Sequence, residues 1–200
     1  PPRSTFFRSE LEQFLLLARE NDMDDLMVKG SYAGAIGIPQ FMPSSVRRYG
    51  VDFNHDGRID LQGSSSDTIG SIASFLSAHG WLRGEPIALP IRIDASQARP
   101  LIEEGIRPVH TLMELKDRGV ILPNHWADLG AAWEKKAALI DLVSPEAPTQ
   151  YWLGFDNFFV ITRYNRSTFY AMSVFQLAEA LRNNGKINKR IETHLPLKSP

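Results

Sequence analysis

The 200-residue sequence contains no cysteine, which excludes a disulfide framework and a thiol nucleophile. It has almost no net charge, with 22 basic against 23 acidic residues and a formal balance of -1. No whole-molecule field would therefore draw it onto a polyanion, and no nucleic-acid partner is expected. No apolar run reaches the roughly 18 residues of a membrane span, and the N-terminus lacks a basic segment followed by an apolar one. Internal repeats and low-complexity segments are missing. The histidines, at 55, 79, 110, 125 and 194, include no pair spaced i, i+4, which disfavours a zinc hydrolase. What is present is a hydrophobic content of 43%, enough for one sizeable core or a core with a smaller attached lobe. The opening "PPRSTFFRSELEQF" enters a helical pattern almost at once, so an N-terminally truncated or processed fragment is expected.

Periodicity divides the chain. Phe7, Leu11, Phe14, Leu15 and Ala18 lie on one helical face that ends near Asn21. Ile69, Ile72, Ala73 and Leu76 repeat the pattern in a helix stopped by Gly80. Between them, 30 to 67 is rich in Gly, Pro and Ser and reads as loop. From about Glu85 the chain turns to short extended segments, "PIALPIRI", "KKAALIDLV", "YWL" and "FFVITR", with short helices at 95–104 and 111–118. Tyr170, Val174, Leu177, Ala178 and Leu181 mark a last helix, capped by Ser167 and fraying at "RNNGK". The expected fold class is α+β, mainly α. A helical core occupies 1–84, a small strand-rich lobe is inserted over 85–157, and 158–200 return to the core.

"DFNHDGRIDLQGSSSD", residues 52–67, follows the register of a calcium loop. Such a loop takes oxygens from positions 1, 3, 5 and 7, with Gly at 6 and an apolar residue at 8. Here these are Asp52, Asn54, Asp56, the Arg58 carbonyl, Gly57 and Ile59. Position 12 is Gly63, which offers no ligand, so the late ligand is expected from Asp67 at the start of the second helix. The alternative is a helix-capping turn with no ion. A solitary loop suits a calcium ion that holds structure in place rather than a sensor.

Just before it, "GSYAGAIGIPQFMPSS" (30–45) is no phosphate loop, since it lacks GxGxxG and GxxxxGK[ST] and Pro39 interrupts the helix such a loop would feed. Its small residues permit close backbone approach. Ser31, Tyr32, Gln40 and Met42 offer hydroxyls, an amide and a soft apolar group, a set suited to a sugar. Taken alone, the segment reads equally well as a packed structural turn.

Taken together, "SELEQFLLLARE", "KGSYAGAIGIPQFMPSS", "DFNHDGRIDL" followed by "DTIGSIASFLSAHGW", and "FFVITRYNRSTFYAMSVFQLAEAL" resemble the B-type lytic murein transglycosylases, in the family's order and over most of the chain. The resemblance implies a lysozyme-like helical core, the bacterial periplasm, with an outer-membrane association in the full-length protein, and peptidoglycan glycan strands as partner. It further implies cleavage of the β-1,4 bond between N-acetylmuramic acid and N-acetylglucosamine without water, leaving a 1,6-anhydro end. Ser31 then matches the serine that orients the catalytic glutamate and Gln40 the active-site glutamine. Tyr164, Asn165 and Tyr170 match the lining of the sugar cleft, Tyr32 and Met42 are taken as substrate-binding from the segment's own chemistry, and Arg3 is set beside a cleft arginine. Read without the family, Tyr164 and Tyr170 are ordinary core aromatics. Asp52, Asn54, Asp56, Arg58 and Asp67 match the calcium ligands.

Two departures are small: Ile36 stands for a methionine, and Ile38-Pro39 for a Tyr-Gly-like pair. The large one is that the family's "GVET"-like segment, which carries the catalytic glutamate, is not found in these 200 residues. Glu10 and Glu12 read as exposed helix-face charges rather than substitutes. The acid is then expected from outside these 200 residues, on a segment that was cut away or resides on another chain, such as the N-terminal segment of the same protein as a separate chain. The competing expectation is a non-catalytic, calcium-stabilised muropeptide-binding or scaffold module.

Overall fold

The computed structural model describes residues 4–124 and 130–192. Two compact units divide between His79 and Gly80. Helices carry the first and a small antiparallel sheet with helices the second. The division precedes the expected 84/85 boundary, and the expected 157/158 boundary falls inside a helix, Asp156–Tyr164.

In the first unit, α1 (Ser4–Glu20) packs on α2 (Pro43–Tyr49), which is followed by α3 (Ser65–Ala78). Helix α2 starts with proline at its first position, where the missing N–H costs nothing. Its N-terminal donors are met by α1: Ser44 N donates to Glu10 Oε2 at 3.0 Å, and Ser44 Oγ to Glu10 Oε1 at 2.7 Å. At the other end Arg47 pairs with Glu20 at 2.6 Å and reaches Gln13. Helix α3 is capped by Ser64, whose hydroxyl accepts from Asp67 N, and ends at Gly80 in the left-handed region, φ 95°.

The apolar stripes read from the sequence coincide with the buried faces only at Ala18. In α1 the buried residues are Glu10, Leu17 and Ala18, while Phe7, Leu11 and Leu15 are exposed. In α3, Thr68, Ser71 and Phe75 are buried and Ile69 is exposed. Glu10 thereby corrects the expectation of a solvent-facing charge. Docking on α2 selects the side of α1 that can satisfy the start of a second helix, and that side is not the most apolar one.

The second unit is built on a sheet of order β1-β4-β3-β2, all neighbours antiparallel. Its strands are β1 (Ala88–Ile91), β2 (His110–Thr111), β3 (Lys136–Ser144) and β4 (Ala147–Gly154). Pro90 and Arg92 share the outer edge of β1, where a missing N–H is tolerated, and Arg92 there exchanges hydrogen bonds with Ile121. Alternation along the strands gives the sheet two apolar faces. Leu89, Ala137, Leu139 and Leu153 face a cluster with α4 (Ala95–Glu103) and α5 (Leu112–Asp117). Ile140 and Trp152 face another with α6 (Asp156–Tyr164) and α7 (Thr168–Glu192).

Two expectations change here. "FFVITR" is helical, within α6, because Phe158 and Ile161 fall on the side that packs on the sheet; three-residue spacing outweighs strand-favouring composition. Helix α7 runs on through "RNNGK" to Glu192. Ser167 does cap it, accepting from Tyr170 N at 3.2 Å. Of its expected stripe, Val174, Leu177 and Leu181 are exposed, and among its described side chains Ala171 and Met172 are buried.

Candidate active site

Residues 30–41 fold back on themselves through bridges between Gly30 and Ile36 and between Ile36 and Phe41. Ser31 N donates to the Ala35 carbonyl at 2.8 Å, and Ala35 N donates to Ser31 Oγ at 3.1 Å. The Ser31 hydroxyl thus keeps its own proton to donate elsewhere. Gln40 sits in the left-handed region at φ 51°, a conformation that costs a non-glycine residue about 1–3 kcal/mol and clusters at functional sites. Its amide nitrogen donates to the Gly37 carbonyl at 2.9 Å, which leaves the amide oxygen to accept from a ligand. Gly37, at φ 70°, lies so close to the next loop that a Cβ would stand 2.7 Å from the Leu61 carbonyl. Ile38 N donates to that same carbonyl at 2.7 Å, so the turn carrying Gln40 is bonded to the exit of the 52–67 loop.

Ser31 lines two cavities. One, of about 350 Å³, is bounded by Phe7, Glu10, Leu11, Phe14 and Tyr32. The other, of about 490 Å³, it shares with Lys29, Gln40 and Gln62. Ser31 and Gln40 are therefore brought together, and Tyr32, fully exposed, stands over the apolar side. Met42, half-buried, occupies the N-cap of α2. Lys29 and Gln62 were not singled out in the sequence, and Glu10 was expected on the surface rather than beside the smaller cavity. Lys29 and Gln62 lie within the quoted motifs but carry no signal of their own there, and no periodicity marks Glu10 as buried.

Tyr164, Asn165 and Tyr170 belong to the second unit. The rings of Tyr164 and Tyr170 stack with centroids 6.3 Å apart and planes 10° from parallel. Burial, with a smaller contribution from Tyr170, pushes the Tyr164 hydroxyl up to about 12, so it stays protonated at neutral pH. Asn165 caps the end of α6 and is exposed. Arg3 lies outside the described residues.

In the 52–67 loop, side-chain oxygens turn in on the loop's own backbone. Asp52 accepts from Asp56 N (3.1 Å) and Gly57 N (2.8 Å), Asn54 from Asp56 N (3.1 Å), and Asp56 from Arg58 N (3.0 Å). Gly57, at φ 88°, makes the sharp turn. Asp67 is fully buried and reaches back to accept from Phe53, Asn54 and Asp60 N–H. The Asp60 N–H bond, against the opposing effect of burial, holds its carboxyl below the usual aspartate range, with Phe53 and Asn54 adding to it. Gly63 has no room for a ligand, since the Asp60 carboxylate stands 2.6 Å from where its Cβ would be. These are hard oxygen donors of the type calcium takes, with lone pairs to spare on Asp52, Asn54 and Asp56. As the chain stands, no three acidic or histidine side chains among the described residues gather closely enough to enclose an ion. The donor chemistry fits calcium, and closing the shell requires the carboxylates to draw in.

Residues 1–179 match the family described as "Transglycosylase SLT domain". Membrane-bound lytic murein transglycosylase B of Escherichia coli is 41% identical over 185 residues, covering 90% of this chain and 47% of the relative. The chain thus spans about half the length of the curated relative it matches. Among solved structures, soluble lytic transglycosylase SltB1 from Pseudomonas aeruginosa is 45% identical with a TM-score of 0.80, over 92% of this chain and 60% of that one. The Escherichia coli lytic transglycosylase Slt35 in complex with calcium is 38% identical with a TM-score of 0.75, over 92% and 55%. Pseudomonas aeruginosa SltB3 in complex with NAG-NAM-pentapeptide is 30% identical with a TM-score of 0.72, over 87% and 46%.

Proposed function

Because the chain belongs to the transglycosylase SLT domain family, we propose that it forms the larger part of a peptidoglycan lytic transglycosylase, with the catalytic glutamic acid supplied by a segment outside these 200 residues. One observation carries this reading: Ser31 and Gln40 open onto a single cavity, the first with a proton to donate and the second held in a strained conformation with its amide oxygen free.

In this scheme one acid does both proton transfers. The glutamic acid, oriented by the Ser31 hydroxyl, gives its proton to the leaving oxygen as the bond to muramyl C1 breaks. The substrate's N-acetyl group stabilises the emerging cation. The muramyl 6-hydroxyl oxygen then bonds to C1, and its proton passes to the carboxylate. No second carboxylate is needed, unlike the two-carboxylate glycosidases. Gln40 accepts from the sugar and Tyr32 and Met42 border it, and Tyr164, Asn165 and Tyr170 of the second unit are proposed as further sugar-binding residues. Glu10 is unsuited to the acid's role because both its oxygens already accept from Ser44.

The 52–67 loop is proposed as an EF-hand-like structural calcium site held by Asp52, Asn54, Asp56, the Arg58 carbonyl and Asp67. A calcium complex of Slt35 supports it, as do the inward-turned oxygens. The ion would tighten the loop on which the Gln40 turn rests. The core is read as lysozyme-like with the strand-rich lobe inserted in it, and the compartment as the bacterial periplasm. The membrane-bound name of the Escherichia coli relative supports an envelope location, and no helix among the described residues is long and apolar enough to cross a membrane.

Mass spectrometry of digested peptidoglycan tests the proposal. The 200 residues alone should release essentially no anhydromuropeptide, since general acid-base catalysis is worth about 10²- to 10⁴-fold per step. Adding the upstream segment, joined or as a second chain, should restore it, and Ser31→Ala should then lower the rate while Glu10→Gln does not abolish it. Abundant anhydro product from the 200 residues alone would place the acid within them. Muropeptide binding without product even after the segment is added would favour a non-catalytic binding module.

A further inference from the structure

The cavity shared by Ser31 and Gln40 contains one charged side chain, Lys29. Gly30 is held in a bridge with Ile36, and Lys29 and Ser31 on either side of it line the same space. The Lys29 ammonium forms no ion pair with any described residue, in a unit whose Arg47 is paired. Across the cavity the Gln62 backbone N–H is fixed by Asp60 Oδ1 at 2.9 Å, while its side-chain amide makes no hydrogen bond among the described residues. An unpaired cation and a free amide thus stand beside the two residues assigned to the reacting sugar.

A cation beside the catalytic acid would favour the ionised form and oppose proton donation, so the ammonium is better used on the substrate. N-acetylglucosamine is neutral. The muramyl sugar differs from it by a lactyl arm, which carries a carboxyl group, free or extended by a peptide that itself ends in a carboxylate. We propose that Lys29, seconded by Gln62, is a specificity-determining residue that reads this anionic arm, the ammonium meeting a carboxylate and the amide a peptide group. The proposal rests on the transglycosylase reading and adds to it the source of discrimination between muramyl strands and neutral chitin-like strands.

Binding to the 200-residue chain in calcium, measured by titration calorimetry, tests it with three ligands: NAG-NAM-pentapeptide, NAG-NAM with a free lactyl carboxylate, and neutral chitotetraose. Lys29→Met should weaken a carboxylate-bearing ligand about fivefold, as expected of a partly exposed charge pair, and leave chitotetraose unchanged, while Lys29→Arg largely restores affinity. Added salt should weaken the same ligand for the unmutated chain and not for Lys29→Met. Which of the two acidic ligands responds tells whether the lactyl or the peptide carboxylate is read. Equal loss for all three ligands, or no loss for either acidic one, overturns the role of Lys29 and leaves the transglycosylase reading standing. Failure of the unmutated chain to bind any of them overturns that reading and this inference together.

Discussion

The two units are stabilised by different means. In the second, the sheet is buried on both faces, and Leu112, Leu115, Leu153 and Phe158 are all but inaccessible to solvent. Its fully buried amide among the described residues, Asn157, is bonded by Leu82 and Glu85. In the first, a smaller set of buried apolar residues, Phe41 and Phe75 among them, is joined by polar groups clamped on backbone N–H: Glu10 on Ser44, Asp67 on the 52–67 loop, Ser71 on Val51 N. That unit also holds a buried hydroxyl, Thr68 Oγ1, with no partner among the described residues, and it exposes Phe7, Leu11 and Leu15 of α1. Apolar burial is non-directional and tolerates imprecision, whereas a hydrogen-bonded scaffold is lost when one partner shifts. The unit carrying Ser31 and Gln40 is thus the one in which a bound ion or a covering surface is expected to change stability most.

The largest test of this contrast is a pair of truncations. Phe158→Ala, at a site of 0% exposure, should destabilise the second unit by about 3–5 kcal/mol. Leu11→Ala, at 58% exposure, should change stability by no more than about 0.5 kcal/mol. Denaturant unfolding compares them, and similar losses would mean that the α1 stripe is covered in solution.

Calcium comes next. At about 100 times its dissociation constant it should stabilise the first unit by roughly 2.7 kcal/mol, seen as a higher calorimetric transition than in chelator. Hydrogen exchange should slow at Gly57 and Asp60 and stay unchanged at Leu139 and Leu153. Asp52→Ala should erase the difference. An unshifted melt with no metal in elemental analysis would remove the ion from the account.

Acid gives the smallest effect and sharpens the contrast from the other side. Arg118, then His110, hold the Glu104 carboxyl at about 2, against an ordinary value of 4.5. A depressed carboxyl contributes stability above its unfolded value, and that contribution fades as pH falls from 4.5 toward 2. Arg118→Met should flatten the stability of the second unit across this window. A profile as steep as before would assign the acid response to other groups.

Local chemistry was legible in the sequence wherever a few neighbouring residues suffice. The helices at α1, α3, α4 and α5, the Ser167 cap, and the Asp52-to-Asp67 loop followed from spacing alone. The Ser31 and Gln40 candidates came from one short motif, and both line one cavity. What failed were judgements that depend on a distant partner. "FFVITR" has strand composition but packs on a sheet, and a helix lets Phe158 and Ile161 share that face.

The sequence by itself determined the family, the loop with its oxygen donors and the starts of α1, α3, α4, α5 and α7, because capping, turn geometry and ligand spacing are interactions between residues close along the chain. Only tertiary structure decided which face of each helix is buried. Glu10 is drawn inside by a Ser44 it meets 34 positions away, and Leu61 fixes the turn of Gln40 from across the next loop. Those outcomes turn on long-range hydrogen bonds and on which surfaces find cover, neither of which has a periodicity to read.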